Sequence, residues 1–171
     1  LTLANNRDNS SLHEREVLIT GTGTEFTATA DGTLDLGGAN RTVDVVTTVA
    51  SVNAPLSNAT IETRVINGGL IKTGPRTLYL TNPNNTFAGG VRVEGGCVDL
   101  GAAGSPVPGG IILANPPGVT ACFNFGASTG GITVPITLFG DPSGCAMIVY
   151  EGETGESYTL ASPIHFSTQG L

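Results

Sequence analysis

Apolar and polar positions alternate in short bursts along this chain. Leu34 and Leu36 flank Asp35, Leu78 and Leu80 flank Tyr79, Val98 and Leu100 flank Asp99, and Phe123 and Phe125 flank Asn124. A period of two is the signature of a strand with one face against a core. Further short β-branched runs lie at 17–20, 42–46, 60–66, 91–94, 111–113, 132–138 and 157–160. Glycine pairs at 37–38, 68–69, 89–90, 95–96, 109–110 and 130–131 punctuate them, where a corner with positive φ would need glycine. Pro55, Pro83, Pro106, Pro108, Pro116, Pro117 and Pro142 fall between the runs, not inside them. The pattern predicts an all-β protein built from many short strands.

The bursts recur. Thr33-Leu34-Asp35-Leu36-Gly37, Cys97-Val98-Asp99-Leu100-Gly101 and Cys122-Phe123-Asn124-Phe125-Gly126 share one outline, with Thr77-Leu78-Tyr79-Leu80 in the same series and Cys145-Ala146-Met147-Ile148 as a looser member. Their spacing suggests a unit near 22 residues, which fits a leucine-rich repeat or a β-solenoid. None has the Leu-x-x-Leu-x-Leu outline followed by Asn, so the solenoid stands: a right-handed parallel β-helix. Each coil would stack about 4.8 Å above the last. Leu36, Leu80, Leu100 and Phe125 are then expected in one inward column. The residues between them would face out, and so would Thr33, Thr77, Cys97, Cys122 and Cys145.

Residues 1–171 read as one domain or as a segment of a longer array, with 68–110 the clearest module. The first 20 residues are an excursion or a cap, in which Ser11 and Glu14 would form a capping box on a helical turn. The chain opens on Leu1, not Met, as a processed or excised piece would.

That module carries a resemblance. Gly68-Gly69-Leu70-Ile71-Lys72-Thr73-Gly74 is followed by Thr77-Leu78-Tyr79-Leu80, then Asn85-Thr86-Phe87, Gly89-Gly90, and finally Gly95-Gly96-Cys97-Val98-Asp99-Leu100. The order resembles the autotransporter-associated β-strand repeat of secreted bacterial surface proteins. It departs at Arg76, where glycine is usual, and at Cys97-Val98, where Thr-Leu is usual. The resemblance implies a secreted or cell-surface β-helix that is stalk-like or adhesive and does no catalysis. Its partners would be neighbouring solenoid segments, identical subunits, surface glycans or host and matrix proteins. A self-assembling fibre or spike subunit and a polysaccharide-active β-helix enzyme are the alternatives.

Composition narrows this further. The formal net charge is −7 and only 12% of residues are charged, which opposes binding to nucleic acid or anionic membranes. No apolar run is long enough to span a bilayer. No cofactor or metal is expected. His13 and His165 have no metal spacing, and there is no Cys-x-x-Cys. Gly126-Ala127-Ser128-Thr129-Gly130 matches the serine-hydrolase elbow, but strand-like Ile132-Thr133-Val134 follows where that chemistry needs a helix. Asp35 and Asp99 share a motif position, yet three coils would hold them about 14 Å apart, beyond the roughly 9.5 Å of a glycosidase pair. Glu151, Glu153 and Glu156 lack calcium-loop spacing and read as an acidic turn, and Gly21-Thr22-Gly23 lacks the third glycine of a dinucleotide fingerprint. Four Asn-x-Ser/Thr sequons, at Asn9, Asn40, Asn58 and Asn84, are what an Asn/Thr-rich chain yields by chance. The three cysteines leave two readings open: all reduced, or Cys97 and Cys122 bridging adjacent rungs with Cys145 free or paired between chains. Residues 82–87 and 101–110 are the expected presenting loops.

Overall fold

The computed structural model describes residues 17–21, 26–28, 33–47, 58–101, 107–125, 134–139, 143–150 and 163–167. The suggested cap at 9–16, the Gly126–Gly130 motif, the acidic turn at 151–156 and the strand expected at 157–160 lie outside these residues.

Thirteen strands are present among them: β1 Val17–Gly21, β2 Phe26–Ala28, β3 Thr33–Thr47, β4 Ala59–Ile61, β5 Arg64–Thr73, β6 Thr77–Leu80, β7 Val91–Val93, β8 Gly96–Asp99, β9 Ile111–Ala114, β10 Thr120–Phe125, β11 Ile136–Phe139, β12 Cys145–Tyr150 and β13 Ile164–Ser167. Odd-numbered strands form a seven-stranded sheet in the order β1-β3-β5-β7-β9-β11-β13. Even-numbered strands form a six-stranded sheet in the order β12-β10-β8-β6-β4-β2. Every pairing is parallel. The chain visits one sheet, then the other, and returns one strand higher. That is a parallel β-helix.

The coils are unequal. Val65 and Asn85, on successive coils, are 20 residues apart, while Cys97 and Cys122 are separated by 25. Connections of different length absorb the difference, so the strands keep their register.

Inward positions stack into columns. Val43, Lys72, Val93, Leu113, Leu138 and Phe166 are successive partners in the seven-stranded sheet. Leu70, Val91, Ile111, Ile136 and Ile164 form the column beside them. In the facing sheet, Ala59, Leu78, Val98, Phe123 and Ile148 align. Most of these side chains are buried in a single core, which Phe87 and Val107 complete from a third side. Burying an aliphatic or aromatic side chain is worth about 1.5–3 kcal/mol, so these columns supply the main driving force.

The expected ladder of Leu36, Leu80, Leu100 and Phe125 is corrected at one member. Tyr79 pairs with Asp99 and Asp99 with Asn124, so Leu80, Leu100 and Phe125, which follow them directly in the chain, lie side by side. Leu36 is buried but belongs to β3 in the other sheet. It sits where the β3–β5 register shifts, between Asp35 and Ala39. Thr33 accordingly pairs with Arg64 and has no place among Thr77, Cys97 and Cys122. Cys145 is also displaced from that series: it faces Thr120, and Met147 faces Cys122. The 60–66 run divides into β4 and the start of β5 around Glu62-Thr63, because the chain changes sides there.

Three of the glycine pairs, 68–69, 89–90 and 109–110, form a stacked corner with no room for side chains. A Cβ on Gly109 would lie 2.2 Å from both the Ala88 carbonyl oxygen and the Gly90 nitrogen, and one on Gly89 2.6 Å from the Gly68 oxygen. Gly109→Ala is therefore expected to cost at least about 2–3 kcal/mol by forcing coils apart. Gly38→Ala, at φ +74 with open space around it, should cost only the left-handed backbone penalty, about 1–2 kcal/mol. Urea midpoints of the two variants measure the difference, and equal losses would refute the close-approach account.

Candidate functional site

The most unusual group in the core is Lys72, the chain's only lysine, which is fully buried at 0% exposure. Alternation explains its direction. Leu70 and Lys72 share one parity of β5, and both are buried while Ile71 between them is only partly so. Its aliphatic stem thus occupies an apolar column between Val43 and Val93. Where the seven-stranded sheet turns toward the other, the ammonium finds acceptors. Nζ donates to the carbonyl oxygens of Thr73 at 2.5 Å, Gly74 at 2.9 Å and Gly95 at 2.9 Å. Three acceptors match the three protons of an ammonium. Gly95 belongs to the next coil, whose Glu94 nitrogen also donates to the Lys72 carbonyl at 2.8 Å. One side chain therefore ties together two turns that have no ladder of their own.

Desolvation pushes the Lys72 pKa down from 10.5 to about 7, and the negative charge of Asp44 opposes the shift. Asp44 also accepts a hydrogen bond from Thr73 Oγ1 at 2.9 Å, which fixes it over the same corner. One coil beyond Gly95, Asn115 is buried with neither side-chain polar atom hydrogen-bonded.

On the third side, asparagine side chains replace missing main-chain partners. The Asn85 Oδ1 accepts from the Val65 nitrogen at 2.7 Å, and Thr86 donates its nitrogen to the Val65 oxygen at 2.9 Å. Asn82 Nδ2 donates to the Glu62 oxygen at 2.7 Å, and Arg64 Nε to the Asn84 oxygen at 3.0 Å. Residues 82–87, expected to form a presenting loop, are thus fastened to the coil beneath, with Phe87 plugged into the core. Of the other expected loop, 102–106 lie outside the described residues.

The two aspartates named as a carboxylate pair are not brought together. Asp35 belongs to β3 and Asp99 to β8, in different sheets. Each instead closes a turn onto the nitrogen two residues ahead: Asp35 Oδ1 accepts from Gly37 at 2.8 Å, Asp99 Oδ1 from Gly101 at 2.6 Å. Their second oxygens accept from Asn67 at 3.1 Å and Asn124 at 3.4 Å on the next coils. Asp99 and Asn124 have outward parity yet are buried, at 5% and 6% exposure.

Cys97 and Cys122 are register partners and are joined by a disulfide with Cα atoms 4.4 Å apart. Parallel stacking places them within bridging distance. Cys145 is free and exposed. His165 stands on β13, and no group of three or more His, Cys, Asp or Glu side chains suited to a metal occurs among the described residues.

Sequence reasoning passed over Lys72 and Asn85 as structural devices. The available signals were the Leu70-x-Lys72 parity and the Asn-Thr-aromatic run.

Residues 70–99 match the family model described as passenger-associated-transport-repeat, in agreement with the resemblance seen in the sequence. The matched stretch begins at the Lys72 strand and ends at Asp99. No curated protein and no solved structure matches the chain. Among the described residues, no helix is long and apolar enough to cross a membrane, which leaves membrane barrels untouched.

Two predictions follow from the geometry. Below about pH 7 Lys72 is protonated in the folded and unfolded chain alike. Between about 7 and 10.5 the unfolded chain holds a proton that the folded chain has released, so stability rises with pH, by a few kcal/mol in all, and levels off above. Denaturation of wild type and Lys72→Met across this range should show the rise only in wild type; parallel profiles would refute the buried-amine account. For the disulfide, the 25-residue separation gives about 3.5 kcal/mol of stabilisation. Alkylation of the unfolded, unreduced protein should label one cysteine, and reduction should lower the denaturation midpoint. Three labelled thiols would exclude the bridge.

Proposed function

We propose that this chain is a structural segment of a secreted or surface-exposed passenger, a stiff β-helix that holds other parts of a bacterial surface protein away from the cell. The observation that carries this reading is the repeat match over residues 70–99. Within that stretch every distinctive motif position has a structural task. Leu70, Leu78, Leu80, Val91, Val93 and Val98 fill columns, Lys72 joins turns, and Gly89 and Gly90 form a tight corner. Within it, Lys72 and Asp99 are engaged in turns and in contacts between coils.

The disulfide supports an oxidising destination, where such bonds persist. The acidic composition supports a soluble outer surface. Rigidity follows from the architecture. Parallel ladders run the length of the solenoid, and each coil leans only on its neighbours. Outward side chains of the two sheets are then the surface offered to glycans or matrix proteins.

An antibody raised against the folded region 58–125 should label intact cells that make the full-length protein. Labelling that appears only after the cells are opened would overturn the proposal.

A further inference from the structure

The ladder between β3 and β5 breaks at one place. Asp35 pairs with Ile66 and Ala39 with Gly68. Leu36, Gly37 and Gly38 of β3 therefore stand opposite a single residue of β5, Asn67. Among the described residues, Asn67 is the only one other than glycine with a left-handed backbone, at φ 51. It is exposed, and its Nδ2 donates across the break to Asp35 Oδ2 at 3.1 Å. Asp35 Oδ1 accepts from the Gly37 nitrogen at 2.8 Å, which holds the carboxylate at the break. Asn67 is also the chain's only asparagine followed by glycine. Glycine has no Cβ to shield its main-chain nitrogen from the preceding side chain. Nor could another residue stand there, because a Cβ on Gly68 would collide with the Ala39 carbonyl oxygen and crowd Leu36. The broken ladder thus imposes on the fold the dipeptide in which a side-chain amide is most open to attack from its own backbone.

We propose that Asn67 is a site of spontaneous deamidation in the folded chain, and that its product is set against Asp35. The Gly68 nitrogen attacks Asn67 Cγ, and the new bond closes a cyclic imide. The proton of that nitrogen leaves with Nδ2 as ammonia. Water then opens the imide at one carbonyl or the other, giving aspartate or isoaspartate. No oxidant or cofactor takes part. Asn67 lies open to that water and has no register partner in β3. The product matters because of its neighbour. A donor amide becomes a carboxylate, so an attraction across the break becomes a like-charge contact. In the isoaspartate form the main chain also gains a methylene carbon immediately before Gly68, whose place against Ala39 and Leu36 is tightly fixed. Conversion therefore loosens the join between two coils, in one direction only and without an enzyme.

The test incubates the 171-residue chain at mildly alkaline pH, with circular dichroism verifying that it stays folded, beside the free peptide Arg-Val-Ile-Asn-Gly-Gly-Leu. Peptide mapping by mass spectrometry follows amide-to-acid conversion at each asparagine. Asn67 is expected to convert ahead of every other asparagine. Conversion first at another position, or an intact Asn67 once the free peptide has fully reacted, would overturn the proposal. Two variants read the consequence separately. Asn67→Asp should lower the urea midpoint at neutral pH. Asparagine and aspartate both accept a left-handed backbone, so that loss reports the charge. Exchanging the pair, Asp35→Asn together with Asn67→Asp, restores one donor and one carboxylate across the break and should recover most of the loss. An unchanged midpoint in Asn67→Asp, or an exchange as damaging as the single substitution, would rule out the clash with Asp35.

Discussion

Everything in this molecule depends on vertical register. A parallel β-helix places residue upon residue at the strand spacing, and a side chain in one coil must suit the one above and the one below. The inward columns are the outcome: Leu70, Val91, Ile111 and Ile136 run through four successive coils without a polar member. A one-residue slip would turn a strand's apolar side to solvent, so the interior itself fixes the pairing. Connections differ in length between coils, as the 20- and 25-residue separations show.

The same constraint explains why polar residues are so carefully placed. Corners and cross-overs interrupt the ladders, and their carbonyls and amides still need partners. Lys72 serves three carbonyls at one corner, Asn85 serves an amide on the third side, and Asp35 and Asp99 close turns. The lysine is the costliest of these, since burial works against its charge. Asn115, one coil beyond Gly95, shows the other possibility, a buried amide with both ends unpaired. The repeat thus has two vocabularies, apolar residues for the columns and a few polar ones for the bends between them.

Much of the fold was legible in the sequence because alternation and glycine pairs are local signals. The parallel solenoid and the side-by-side placing of Leu80, Leu100 and Phe125 could be read from them. Leu36 could not be placed, because a likeness of five residues does not say which sheet a strand joins, and the glycine pair 37–38 reads as a corner although it marks a register shift within β3. Cys145 failed for a related reason: a loop between two coils moved it two positions from where counting put it. The candidate site was legible only in outline. Lys72 was visible as a lone lysine at an inward position, but one of its three acceptors, Gly95, comes from a turn on another coil. The partner strands of Asp35 and Asp99 were likewise set by topology and not by their shared motif.

The burial of Lys72 has a practical consequence. Because it is the only lysine and its amine is enclosed, side-chain acylating reagents and lysine-specific proteases have no target in the native coil. Modification or cleavage at that one position requires the stack to come apart around it. The chain carries its own internal tag for the integrity of its central coils, readable by mass spectrometry without any engineered label.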